Sequence, residues 1–345
     1  MLFSALRRLL PLAVLAALAV PATAGATTYG AEVGGVFTSQ VRGQWTADQV
    51  MSSLRSLRAA GGRVARADSD WAGAEVQRPV RGHRAYDWSY DDLIAIELAQ
   101  SGLRWQPDLA FAPQWAEVHR ARIIRGAGGS FVAFLPPAHN GDFAAYAGAF
   151  MHRYGPGGAF WRAHRTLPDL PVTTLEVWNE PDNTHDWGNG INLQDYARMY
   201  EAVRSAIRHV DRHAQVVSGG LAWTMSSLPR LLKAFSHKPL DAVAFHPYAA
   251  TPTGTVALAR YAITQMREYG RDHTPLLANE YGWTSLTDTW GSTRPGNVSR
   301  YSYQALVGLS RLPLAYILPF QWADPSWGLS DGTYARALHD LLRHR

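Results

Sequence analysis

The chain has no cysteine, so disulfides, thiolate metal sites and lipid attachment through a cysteine are all excluded, and the fold must be held by its core. Lysine is nearly absent as well: Lys233 and Lys238 are the only two, and the other basic residues are scattered arginines. The formal charge of +5 is therefore not gathered into a basic stripe, and nucleic acid is not an expected partner. No His-Glu-x-x-His pair or carboxylate-rich calcium loop occurs, and the 13 histidines show no ligand spacing, so no metal is expected. Gly-x-Ser-x-Gly is missing, since Val217-Ser218-Gly219-Gly220 lacks its leading glycine. The first strand is followed by no glycine fingerprint for a nucleotide, and no cofactor is expected.

What is present begins with a leader. Arg7 and Arg8 precede an apolar run from Leu9 to Val20, then Pro21 and the small residues Ala22-Thr23-Ala24-Gly25-Ala26. Charge, apolar core and small-residue cleavage site in that order predict a secretory signal over residues 1–26, cut after Ala24 or Ala26. The run falls short of the roughly 20 apolar residues that span a bilayer, so no stable membrane insertion is expected once it is cut. Residues 27–345 are expected to form one domain, and 47% hydrophobic residues with 18% charged suit a sizeable core.

Its most informative stretch is Thr173 to Asp182, T-T-L-E-V-W-N-E-P-D, in which a short apolar strand delivers Asn179 and Glu180 to the stop at Pro181. A second strand-like run, Pro275 to Asn279, ends in Glu280 and then leaves the sheet through Tyr281-Gly282-Trp283. Cleaving an acetal requires a proton for the leaving oxygen and a partner for the oxocarbenium charge. Two carboxyl groups in different environments can share those tasks.

Strand-like runs are read at Tyr29–Val36, Arg63–Ala67, Arg104–Ala110, Thr173–Trp178, Gln215–Gly219, Ala242–Phe245, Leu276–Asn279 and Tyr316–Trp322. Helical patterns alternate with them near 46–60, 90–101, 140–154, 193–211, 226–237, 255–270, 297–310 and 333–343, the first opening with a Thr46-x-x-Gln49 capping box. Eight strand–helix units predict an α/β fold, a (β/α)8 TIM barrel, with the insertions 68–89 and 111–139 on its catalytic face.

These residues carry a resemblance. Val177-Trp178-Asn179-Glu180-Pro181, with Glu280 ending the seventh strand, resembles clan A of the glycoside hydrolases, and Leu175 to Asp182 is most similar to family 39 and its bacterial single-barrel relatives. The resemblance implies that Glu180 is the acid/base and Glu280 the nucleophile of a retaining mechanism. It also implies that Arg66 on strand two lies near the nucleophile, that Phe245-His246-Pro247-Tyr248 approaches it, and that Trp322 lies under the bound sugar.

Read on their own chemistry, the residues fit these roles unevenly. An ionised Glu280 nearby should keep the proton on Glu180 to higher pH. Asn179 offers an amide donor and acceptor for a sugar 2-hydroxyl, but strict alternation would turn Asn179 and Glu180 to opposite sides, so the strand end must be irregular. Arg66 shares parity with Val64 and Asp68 and could keep Glu280 ionised. Tyr248 could donate to Glu280, and His246 could contact substrate. Trp71, Trp115, Trp178, Trp223, Trp283, Trp322 and Trp327 fall at or after strand ends, where indole faces suit sugar rings; Trp115, Trp283 and Trp322 are taken as substrate platforms.

The expectation is a secreted, retaining glycosidase with the carboxyl groups of Glu180 and Glu280 about 5–5.5 Å apart. Its substrate would be a poly- or oligosaccharide, cut in endo fashion. A transglycosylase using the same residues and a glycan-binding barrel without turnover are the alternatives.

Overall fold

A computed structural model describes residues 26–126, 129–286, 292–324, 327, 329 and 332–343. Most of the expected leader therefore lies outside the described residues. Eight parallel strands form the sheet: Thr28–Glu32, Val64–Asp70, Arg104–Ala110, Thr174–Val177, Gln215–Ser218, Val243–Phe245, Leu276–Ala278 and Tyr316–Ile317. Their spatial order is five, four, three, two, one, eight, seven, six, and parallel bridges from Val217 to Ala242 and from Leu221 to Phe245 bring strand five to strand six. Helices between consecutive strands pack outside, completing the expected (β/α)8 barrel.

Local chemistry explains most boundaries. Thr46 and Gln49 make the expected capping box at the helix Ala47–Ala59, with Thr46 N donating to Gln49 Oε1 at 2.8 Å. In the helix Leu193–Val210, Leu193, Tyr196, Ala197, Tyr200, Val203 and Ile207 recur every three or four residues and are buried. Its Tyr196 hydroxyl donates to Val177 O at 2.9 Å and accepts from Gly219 N at 2.6 Å, which ties the ends of strands four and five to one helix.

Strand one is shorter than read. After Glu32 the chain enters the helix Gly34–Val41, and Gly34 N donates to Glu32 Oε1 at 2.6 Å in place of a ladder partner. Strand two instead runs on to Asp70, whose side chain caps the short helix Trp71–Ala74 through Ala72 N. The insertion after strand three carries an antiparallel hairpin, Ile123–Gly126 with Gly129–Val132. Among the described residues, no helix is long and apolar enough to cross a membrane.

Candidate active site

Strand four reaches the pocket through two unusual backbone positions. Trp178 has φ 70° and Glu180 φ 41°, both in the left-handed region, which costs a side-chain-bearing residue roughly 1–2 kcal/mol. These turns bring both Asn179 and Glu180 to the barrel mouth, the irregularity that alternation demanded. Trp178 N donates to Leu109 O at 2.9 Å and its Nε1 to Asp186 O at 2.7 Å, while Glu180 N donates to Gly220 O at 3.1 Å. Strand five comes this close because it ends in glycine: a Cβ on Gly219 would lie 2.2 Å from Trp178 O, and one on Gly220 2.0 Å from His246 Nε2.

Arg66 organises the floor. Its Nε donates to Glu176 Oε2 at 2.8 Å, Nη1 to Glu280 Oε2 at 3.3 Å, and Nη2 to Asp108 Oδ2 at 3.1 Å and Asn179 Oδ1 at 3.0 Å. One buried guanidinium thus braces a candidate nucleophile, the Asn179 amide and two buried acids. Asn279 Nδ2 and Gly220 N also donate to Glu176, at 2.7 and 2.8 Å. Tyr248 donates to Glu280 Oε1 at 2.7 Å, and burial together with the Glu280 charge pushes its phenol far above the usual range, keeping it a donor.

His246 stands between the two carboxylates, with Nδ1 2.8 Å from Glu180 Oε1 and Nε2 3.6 Å from Glu280 Oε2. Burial opposes its charge, but Glu280 and Glu180 together lift its pKa to about 9. One oxygen of each glutamate and one His246 ring nitrogen all lie within 4.8 Å of one another. A cation could use such a trio, yet Nδ1 of a protonated imidazole donates to a carboxylate and is no ligand.

The charge state of Glu180 differs from the sequence expectation. Burial raises its pKa, but the hydrogen bond and charge of His246, joined by hydrogen bonds with Asn183 and Asp186, outweigh burial and leave it below the ordinary value. Repulsion from Glu280 does not dominate because an imidazolium lies between the two.

Six predicted residues therefore converge: Arg66, Asn179, Glu180, His246, Tyr248 and Glu280. The three tryptophans taken as platforms do not join them. Trp283 is 0% exposed, donates Nε1 to Ala249 O and meets Tyr301 edge-on, so neither face is free for a sugar. Trp322 is buried with Nε1 on Ser53 O, facing the helix Ala47–Ala59 and not the carboxylates. Trp115 packs edge-on against Trp71, donates to Glu75 O and lies under Arg84, holding the loop wall together.

The aromatics at the site are Trp223, 45% exposed, with Trp327, Phe320 and Tyr248; with Glu180, Asn183 and Glu280 they line a cleft of about 250 Å3. Larger hollows of about 490 and 580 Å3 elsewhere hold no facing carboxylates. Residues that the sequence reading missed include Asp182, whose two oxygens accept from Ala222 N and Trp223 N and so fix the Trp223 loop. They also include Asn183, whose Nδ2 donates to Glu180 Oε2 at 2.6 Å. The Asn-Glu-Pro-Asp-Asn run was the available signal, but which side chain folds back onto Glu180 depends on the turn after it.

With this geometry in view, known proteins supply a match. Residues 171–271 match Glycosyl hydrolases family 39. The clan A and family 39 resemblance read from the motif thus stands, on a segment that contains Glu180 but not Glu280. A β-xylosidase of Geobacillus stearothermophilus is 30% identical over 106 residues, 29% of this chain and 18% of that enzyme, so the aligned stretch is less than a fifth of that relative's length.

Among solved structures, a family 39 β-xylosidase from Caulobacter crescentus superposes with a TM-score of 0.68 at 18% identity, covering 92% of this chain and 70% of that one. A family 39 enzyme from Xanthomonas axonopodis pv. citri gives 0.65 at 16% identity, over 92% and 66%. An endoglucanase from Thermotoga maritima gives 0.60 at 13%, over 90% and 96%. At such identities these structures establish the shared barrel and nothing about substrate.

Proposed function

We propose that this chain is a retaining O-glycosyl hydrolase, with Glu280 as nucleophile and Glu180 as acid/base. The observation that carries this reading is the pair itself: two carboxylates from strands four and seven, on one rim, with an oxygen of each within 4.8 Å of the other. That spacing favours direct attack by a carboxylate over the wider gap of roughly 6.5–9.5 Å that admits a water between acid and base. Arg66 and Tyr248 each donate to one Glu280 oxygen and so fix its carboxyl group for attack on the anomeric carbon. As Glu280 attacks, Glu180 delivers a proton to the departing oxygen; it then takes one from the water that releases the sugar. Asn179 Oδ1 is engaged by Arg66, which orients the amide so that its Nδ2 can meet a 2-hydroxyl.

The substrate is proposed to be a poly- or oligosaccharide, with no cofactor and no nucleic acid involved, and β-xylosides are a natural first test given the names of the relatives. Endo action is supported by the exposed Trp223 beside the pair, and by less than the sequence reading assumed, since only Trp223 and Trp327 of the seven noted tryptophans reach the cleft. Secretion rests on residues 1–26 alone, and amino-terminal sequencing of exported protein, expected to begin at residue 25 or 27, tests it.

The functional test compares Glu280→Gln with Glu180→Gln on aryl glycosides and polysaccharides. Glu280→Gln should lose all activity by about 10⁴-fold or more, whereas Glu180→Gln should keep a burst on an activated aryl glycoside, followed by slow release. Equal loss of the burst in both would overturn the assignment. In wild type, mixed oligomers as first products support endo cleavage, monosaccharide alone contradicts it, and transfer to added sugars in place of hydrolysis identifies a transglycosylase.

A further inference from the structure

The cleft beside the catalytic pair has two aromatic sides, and they stand in different relations to the two glutamates. On the Glu280 side, Tyr248 donates to Glu280 at 2.7 Å and meets Trp327 edge-on, their ring centroids 6.3 Å apart. Trp327 meets Phe320 at 4.7 Å, and Phe320 N donates at 2.8 Å to the carbonyl of Tyr281, the residue after Glu280. On the Glu180 side stands Trp223, three residues beyond the Gly220 carbonyl that accepts from Glu180 N at 3.1 Å. Trp223 is 45% exposed and lines the cleft, whereas Trp178 and Trp283 are buried outright.

A dedicated pair of hydrogen bonds sets where Trp223 stands. Asp182, buried two residues after Glu180, turns both carboxylate oxygens to the strand-five loop: Oδ1 accepts from Ala222 N at 3.0 Å and Oδ2 from Trp223 N at 2.9 Å. Two backbone donors on one buried carboxylate make a strong, directional tie, because the charge would be costly to leave unpaired there. Trp223 O accepts in turn from Ser226 N at 3.1 Å and Ser227 N at 2.9 Å, where the helix Thr224–Ala234 opens. The loop that carries the acid therefore also fixes the indole beside it.

In the proposed reaction, the bond that breaks joins the anomeric carbon attacked by Glu280 to the oxygen that Glu180 protonates. The group that departs with that oxygen must lie on the Glu180 side, against Trp223. An indole suits the C–H face of a pyranose ring while the hydroxyls at the ring edge stay wet, and a small alcohol would cover little of it. Resting on the acid and nucleophile roles proposed above, we infer that Trp223 is a specificity-determining residue that stacks a saccharide leaving group, and that Asp182 is the positioning residue that holds it there. The chain thus selects its substrate by what departs as well as by the sugar it retains, and favours linkages between sugars over glycosides of small alcohols.

The test sets saccharides against substrates whose leaving group cannot reach Trp223. Cello-, xylo-, laminari- and chitohexaose are each paired with the β-glycosyl fluoride of the same sugar, and the readout is the ratio of kcat/KM on hexaose to kcat/KM on fluoride. For Trp223→Ala that ratio should fall tenfold or more, and Trp223→Phe, which keeps an aromatic face, should recover part of it. Asp182→Asn sets an amide NH2 against one of the two backbone donors. It should lower the same ratio, and combining it with Trp223→Ala should add little to the loss from Trp223→Ala alone.

A ratio that Trp223→Ala leaves unmoved, whether both values fall or neither does, would overturn the inference, as would wild-type turnover of the fluorides with no hexaose cleaved. Fully additive losses in the double variant would overturn the role of Asp182. Turnover of neither kind by the wild-type chain would tell against the hydrolase reading and take this inference with it, so the two failures are told apart by the fluorides.

Discussion

At the scale of single residues, the site is crowded with carboxyl groups for few cations. Glu32 is buried at the end of strand one, its Oε2 has no partner, and burial, then Asp68, lift its pKa to about 8 against the pull of Arg66. The folded protein thus keeps a proton that the unfolded chain releases at the ordinary glutamate value. Native protons in excess mean that stability is full at low pH and is lost as pH rises toward about 8. Glu32→Gln, which retains the acceptor for Gly34 N, should be nearly neutral at about pH 4 and stabilising at about pH 9 by on the order of 4 kcal/mol. Urea midpoints across that range check it, and a difference independent of pH would count against a protonated Glu32.

Legibility in the sequence divides along the same line. Glu180 and Glu280 were readable because each ends an apolar run at a chain-breaking neighbour. Glu32 and Asn183 were not, because one sits where a strand was read to continue and the other folds back onto Glu180 only through the turn after it. Trp283 and Trp322 misled because an indole at a strand end serves equally as a plug under the loops, and composition cannot separate the two uses.

At the scale of elements, the decisive feature is how strands four, five and six meet. The left-handed Trp178 and Glu180 aim the Glu180 side chain, and Gly219 and Gly220 leave the space for it. Gly220→Ala would press on the end of the His246 ring, which can shift, so the fold should survive while kcat/KM falls tenfold or more as the imidazole leaves Glu180. Gly219→Ala presses on the Trp178 carbonyl, a backbone atom that cannot yield, and should cost more stability, about 2–3 kcal/mol. Circular dichroism melts with activity assays separate the two, and a larger stability loss for Gly220→Ala would contradict this packing. The sequence announced the strand, the capping box and the need for an irregular strand end. It did not reveal the hairpin after strand three or the helix after strand one, whose short runs carry no clear period.

At the scale of the whole molecule, the parallel barrel places every strand's C-terminal end on one rim, so glutamates one hundred residues apart in sequence become neighbours. The eightfold alternation was legible because buried strands and amphipathic helices have different periods. Substrate identity was not, because it resides in loop side chains whose positions only the folded chain defines. The central claim is that Glu280 forms a covalent bond to the sugar during each turnover. Incubating the enzyme with a 2-deoxy-2-fluoro glycoside of a sugar it cleaves, then mapping the labelled peptide by mass spectrometry, tests it most directly. One sugar attached at Glu280 is the predicted result, and an enzyme that turns over the parent glycoside yet carries the label on Glu180, or on no residue, would contradict it.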